Sequence, residues 1–103
     1  MLQVSTTTTG RAEQDSVVAL KNTFADIAEV HVEKSSYNRN TDTYSMYVKM
    51  VNIYGKSASF YYGFTKGDKS IDGYLYVNDL VQKKGTTQSN IKVIYSDGEE
   101  GSL

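Results

Sequence analysis

Residues 17–34 read VVALKNTFADIAEVHVEK, and the fold turns on the point where the spacing of the apolar residues changes. Val17, Leu20, Phe24, Ile27 and Ala28 recur at intervals of three and four, which lines one stripe of a 3.6-residue helix. From Glu29 the interval drops to two. Val30 and Val32 alternate with His31 and Glu33, as on a strand with one face buried. The helical pattern reaches back to Arg11, with Val18 widening the stripe and Arg11, Gln14, Asp15, Lys21, Asn22 and Asp26 on a polar flank. The expectation is therefore a helix over residues 11–28 followed by a strand over 29–34. Glu13 and Asp15 fall near the positive end of such a helix, where carboxylates are favourable. An isolated helix of this length is marginal in water, so Phe24 and its neighbours need a surface to bury against.

Downstream, alternation repeats. The run from Thr43 to Ile53 splits into an apolar set (Tyr44, Met46, Val48, Met50) and a wetter set (Ser45, Tyr47, Lys49), and Asn38-Arg39-Asn40 supplies the preceding turn. Gly55-Lys56 separates it from Ser57 to Thr65, where Ala58, Phe60, Tyr62 and Phe64 oppose Ser59, Tyr61, Gly63 and Thr65. Two alternating runs joined by a short glycine-containing link predict a hairpin. Lys66 to Lys69 forms another turn before Ser70 to Val77, in which Ile71, Gly73, Leu75 and Val77 are expected inward and Tyr74 and Tyr76 outward. Asn78-Asp79 suits the cap of a helical turn, residues 85–90 read as loop, and Ile91 to Tyr95 closes the series as a last strand. Residues 1–10 are expected to be a flexible lead-in and 97–103 a flexible tail.

One helix and about five strands in a 103-residue chain fit a single domain. Short links between successive strands favour antiparallel pairing, because a parallel return needs a longer crossover. The expected architecture is α+β: the N-terminal helix laid across a curved antiparallel sheet as the only cover for its apolar face. Cystatin-like helix-on-sheet layers resemble this arrangement, an analogy of architecture alone. A small barrel plugged by the helix is the alternative. The expected core comprises Val17, Leu20, Phe24, Ile27, Val30, Val32, Met46, Val48, Met50, Phe60, Tyr62, Phe64, Ile71, Leu75, Val77, Ile91 and Val93.

Composition removes several chemistries. The chain has no Cys, so disulfides, thiolate nucleophiles and zinc–thiolate sites are excluded. With no Pro, its bends fall to Gly, Asn and Asp. A single histidine, His31, excludes a two-His metal site, and no cofactor is implied. The net charge of −1 removes the electrostatic term that usually carries nucleic-acid affinity. Lys56, Phe60, Tyr61, Tyr62 and Phe64 put aromatic residues on one strand. The glycine pattern and two-helix arrangement of RNA-recognition modules are nonetheless missing. No run of residues is apolar and long enough to span a bilayer. A cytoplasmic chain and an exported one whose signal has been removed both fit.

Nine tyrosines remain to be explained. By alternation Tyr47, Tyr61, Tyr74 and Tyr76 share the outward face with Lys49, giving a large, rather rigid contact area with few rotatable bonds. The expected function is a small non-catalytic protein-interaction module, of the inhibitor or immunity type, binding a protein partner through that face. The alternatives are a carbohydrate-binding module, with Asp72, Asn52 or Lys49 bonding a sugar stacked on tyrosine, and a low-activity enzyme using His31. The last would need Ser35, Ser45 or Asp42 brought to the imidazole, which stands outward beside Glu33. A symmetric dimer through a sheet edge or the tyrosine face also fits.

Overall fold

The computed structural model describes residues 8–103. Its elements are α1 (Thr8–Lys21), β1 (Ile27–Asn38), β2 (Thr43–Asn52), β3 (Ser57–Phe64), β4 (Lys92–Ile94) and β5 (Glu100–Ser102). The strands form one open sheet in the order β3-β2-β1-β4-β5, which excludes the barrel alternative. One helix packed on a five-stranded sheet makes the chain α+β, as expected.

The helix is displaced toward the N-terminus relative to its expected span of 11–28. Residues 8–10, read as part of a flexible lead-in, open α1, and residues 1–7 of that lead-in lie outside the described residues. Ala12, Glu13, Ser16, Val17, Ala19 and Leu20 form its buried side. Its end is set by side chains that compete for the backbone. Thr23 Oγ1 donates to the Ala19 carbonyl at 2.9 Å, and the N–H groups of Thr23 and Phe24 close on the Leu20 carbonyl. Asp26 then takes a left-handed conformation (φ 62°), which no helix continues. Phe24 and Ile27 continue the three-and-four spacing although neither is helical: both are buried, Phe24 in a bridge to Lys84 and Ile27 as the first residue of β1.

β1 runs to Asn38, well past the expected end at Lys34, because two irregularities re-phase it. Val32 pairs with Val48 but Lys34 with Tyr47, so Glu33 is an extra residue; Ala28 is likewise extra between Ile27 and Glu29. Such bulges bend the strand and turn the following side chains over. Beyond Glu33, Ser35 and Tyr37 therefore share the inner face with Met46 and Tyr44.

The sheet is mixed, which corrects the wholly antiparallel reading. β1–β2, β2–β3 and β4–β5 are antiparallel, whereas β1 and β4 are parallel. The long connection from residue 65 to residue 91 makes that return possible. It also supplies cover. Ile71, Val81, Thr87 and Ile91 are buried, and Tyr74 packs its ring 5.0 Å from that of Phe24, so the helix is not the only lid on the apolar face. The connection is clipped to the segment after α1: Thr87 Oγ1 donates to the Phe24 carbonyl at 2.8 Å and accepts from the Ile27 N–H at 3.1 Å. Gly85 allows this approach, since a Cβ there would lie 2.8 Å from that of Ala25.

Residues 70–77 are not a full strand. Tyr74 makes only a bridge to Tyr62, and both Gly73 (through its carbonyl) and Asp72 (through its N–H) bond Gly63, two residues facing one. That bulge reverses the phase: Ile71 and Tyr74 face inward, and Leu75 and Val77, expected in the core, are exposed. Asn78 caps the following turn as expected, its Oδ1 accepting the Leu80 N–H at 2.9 Å. The expected flexible tail contains β5, whose antiparallel ladder with β4 is extended by paired bonds between Ile91 and Leu103. The Lys21 ammonium donates to the Leu103 carbonyl at 2.8 Å.

Candidate functional site

Because side chains alternate along β2 and β3, one face of the hairpin is buried and the other is open. The inner face carries Met46, Val48, Phe60, Tyr62 and Phe64, all buried; the outer face carries Ser45, Tyr47, Lys49, Ser59 and Tyr61. Tyr47 and Tyr61 are register partners, with ring centroids 4.5 Å apart and planes inclined at 41°. Tyr47 is half-buried and Tyr61 is 47% exposed. Lys34 pairs with Tyr47 on one side of this couple. On the other side the Leu75 N–H donates to the Tyr61 carbonyl at 3.1 Å, and Leu75 is 61% exposed. One row across the sheet thus reads Lys34, Tyr47, Tyr61, Leu75, cationic at one end and apolar at the other. The next row is His31, Lys49, Ser59.

Two of the four expected tyrosines, Tyr47 and Tyr61, come together with Lys49 one row away; the other two do not join them. Tyr74 is turned to the core by the bulge at Asp72-Gly73 and packs against Phe24 and Phe60. Tyr76 is 63% exposed on the connection and makes no ring contact with the pair. Partial desolvation, with Asp79 and Tyr74 adding, raises its phenol above the usual range. Leu75 replaces them beside Tyr61. Sequence alternation placed it inward, and only the one-residue bulge brings it out.

His31 lies on the outer face as expected, but its partner is Glu29 instead of Glu33. The imidazole bond comes first in holding the Glu29 carboxyl below its ordinary range, against partial desolvation, and Lys92 and Lys49 add to it. The nucleophile and acid that the enzyme reading needs are elsewhere. Ser35 faces the helix and donates to Glu13 at 2.6 Å, Asp42 accepts from Tyr37, and Ser45 stands on the row beyond Tyr47. Of the three sugar-bonding groups, Lys49 is exposed on the outer face and the other two are engaged. Asn52 is buried, with its Oδ1 accepting the N–H groups of Tyr54 and Lys56, and Asp72 accepts the Thr65 hydroxyl at 2.8 Å. Among the described residues no group of three or more His, Cys, Asp or Glu side chains is placed to hold a metal ion, and no helix is long and apolar enough to cross a membrane.

A buried polar cluster escaped the sequence reading. Glu13, 1% exposed, sits beyond the first turn of α1 and accepts from Ser35 Oγ, from the Ser96 N–H at 3.0 Å and from Ser96 Oγ. Ser16 Oγ donates to the Glu13 carbonyl at 2.9 Å, so its contact with the Tyr62 hydroxyl at 3.0 Å has Tyr62 as donor. The signal was present, since Glu13 precedes Val17 by four and so lies on the apolar stripe. This cluster ties the helix to β1, β3 and the segment after β4. Glu13, Ser16 and Tyr62 are buried while Ser96 stays exposed at the edge, and the cluster serves the packing of the inner face.

No family of known proteins, no curated relative and no solved structure matches the chain. What defines the molecule is therefore its own geometry: a helix-on-sheet α+β layer whose sheet has one face covered and one carrying a tyrosine couple.

Proposed function

We propose that the chain is a small non-catalytic protein-interaction module, of the kind that acts as an inhibitor or immunity protein, and that it binds a protein partner through the outer face of β2 and β3. The observation that carries this reading is the Tyr47–Tyr61 couple, in tilted ring contact on the uncovered side of the sheet, extended by the exposed Leu75 and bordered by Lys34 and Lys49. Aromatic rings held in place by neighbours, with an apolar flank and a cationic rim, are the composition of interface centres. A protein surface is favoured over a sugar because two of the three groups expected to bond hydroxyls, Asn52 and Asp72, are occupied within the fold, which leaves Lys49 alone on the outer face.

The test compares the wild-type chain with the double variant Tyr47→Ser/Tyr61→Ser in quantitative capture from the native host. A specific protein retained by the wild type and lost by the variant, at a melting temperature within a few degrees, supports the reading. A glycan-array signal abolished by the same variant would replace it with carbohydrate binding. Turnover abolished by His31→Ala would replace it with catalysis.

A further inference from the structure

Past Tyr74 the connection follows the β3 edge of the sheet. The Tyr74–Tyr62 bridge is antiparallel, so residues 75–80 run on toward the turn between β2 and β3. There the Asn52 side-chain amide donates to the Leu80 carbonyl at 3.3 Å. Leu75, Tyr76, Val77 and Leu80 on this run, with Ile53 and Tyr54 in the turn, are each 57% to 71% exposed. A continuous apolar rim of this kind marks a contact site. It is held from inside. Gln82, 2% exposed, accepts the Val77 and Asn78 N–H groups at 2.6 and 2.9 Å and donates to the Leu75 carbonyl at 2.7 Å. Asn78 Oδ1 takes the Leu80 N–H, and the Tyr61 carbonyl takes that of Leu75. Water or a partner protein can bond an open backbone, so a loop meeting either has little need of such internal partners. Lipid cannot, and an unpaired N–H at its boundary is expensive.

Between Tyr54 and Leu80 opens a cleft of about 440 Å³, lined also by Asp26, Lys83, Lys56 and Asp79. That volume is in the range of small-ligand sites. Asp26 and Lys83 face each other at 3.7 Å. Lys56 and Asp79 share the cleft, yet among the described residues neither enters an ion pair. A group of single sign would be repelled by one of the two, whereas a group carrying both signs is met by both. The exposed Tyr54 ring adds a face of the kind that holds quaternary ammonium ions. A phosphocholine headgroup has the matching parts: a phosphate for Lys56 and a quaternary ammonium for Asp79 and Tyr54. The acids of the β4–β5 turn, Asp97 and Glu99, stand at the opposite edge of the sheet, away from this rim.

We propose that this edge of the sheet docks on a zwitterionic phospholipid surface. Leu75, Tyr76, Val77 and Leu80 enter the boundary between headgroups and acyl chains, and one phosphocholine headgroup seats in the cleft between Lys56 and Asp79. The test is co-sedimentation with phosphatidylcholine vesicles at ~0.1–5 mM lipid, with circular dichroism to verify each fold. The wild type should pass into the vesicle pellet as lipid increases. Val77→Asp/Leu80→Asp charges two exposed apolar positions and should lower the partition coefficient about tenfold or more. Tyr54→Ala should lower it about threefold, while Val18→Asp, exposed on α1, leaves it unchanged. If the double variant does not fold, Tyr54→Ala, in an exposed turn, decides alone. A wild type that stays in the supernatant overturns the proposal, as does pelleting indifferent to either variant or seen with phosphatidylglycerol vesicles alone. Soluble phosphocholine bound without vesicle binding would replace the lipid surface with a small-molecule site. A host protein captured by the wild type and lost by Val77→Asp/Leu80→Asp, with no vesicle binding, would replace it with a protein contact. None of these variants alters Tyr47, Tyr61 or Leu75, so failure here leaves the partner-binding reading separately testable.

Discussion

Tyr61 and Tyr62 are neighbours on β3 with the same side chain and opposite surroundings. The Tyr62 ring is buried beside Phe60 and its hydroxyl donates to Ser16 on the helix, whereas the Tyr61 ring leans against Tyr47 and is half open to water. Burial of one commits a hydroxyl that must find a partner inside, since an unpaired buried polar group is expensive. The other keeps its hydroxyl in solvent and its ring available. The two faces of one hairpin are thus divided by side-chain alternation into a part that holds the fold and a part free for contact.

That division is tested most severely from the inner side. Phe24 contacts Phe60 edge-on at 5.9 Å and Tyr74 at 5.0 Å and is fully buried. Phe24→Ala should lower stability by about 3–5 kcal/mol, measured by urea denaturation. A loss near zero would mean that helix, connection and sheet are not joined at this ring.

A smaller effect is expected at Tyr62. Tyr62→Phe should cost about 1–2 kcal/mol for the lost bond to Ser16. It should also alter the alkaline limb of the stability curve. Burial, helped by the Glu13 carboxylate and opposed by the Ser16 hydroxyl, which can turn to donate to a phenolate, raises the Tyr62 phenol well above its ordinary value of 10.0. The folded state therefore holds this proton more tightly than the unfolded one. The resulting stabilisation is complete below about pH 10 and is lost as pH rises through the folded value. Tyr62→Phe should flatten the fall in stability above pH 10. An unchanged slope would mean that this hydroxyl is not held inside by the fold.

The smallest effect belongs to the outer couple. A double-mutant cycle on Tyr47→Ser and Tyr61→Ser should give a coupling below about 1 kcal/mol. A much larger value would make the pair a structural element of the hairpin and weaken its claim as a contact surface.

What the sequence disclosed follows from where a local pattern decides the outcome. The phases of β2 and β3 were legible because strict alternation with a buried face tolerates only one register. The C-terminal limit of α1 was not, since Phe24 and Ile27 keep helical spacing while being buried for tertiary reasons. Thr23 and Asp26, which end the helix, act through bonds and a backbone conformation that spacing does not report. The outward tyrosines divided along the same line. Tyr47 and Tyr61 sit on uninterrupted strands, whereas one bulged residue at Asp72-Gly73 sent Tyr74 inward and brought Leu75 out. Glu13 was legible as part of the stripe, but its three bonds come from Ser35 and Ser96, which no local rule connects to it.

The parallel placement of β4 beside β1 has a kinetic consequence. β1, β2 and β3 can zip together through nearby turns, but the fourth strand must wait until the whole 65–91 excursion has been reeled in. Closing so long a loop delays its contacts. The meander should therefore assemble early, with the covering connection and the β4–β5 ribbon arriving last. During that interval the apolar side of the sheet stands open, and it is then that the chain is most exposed to aggregation.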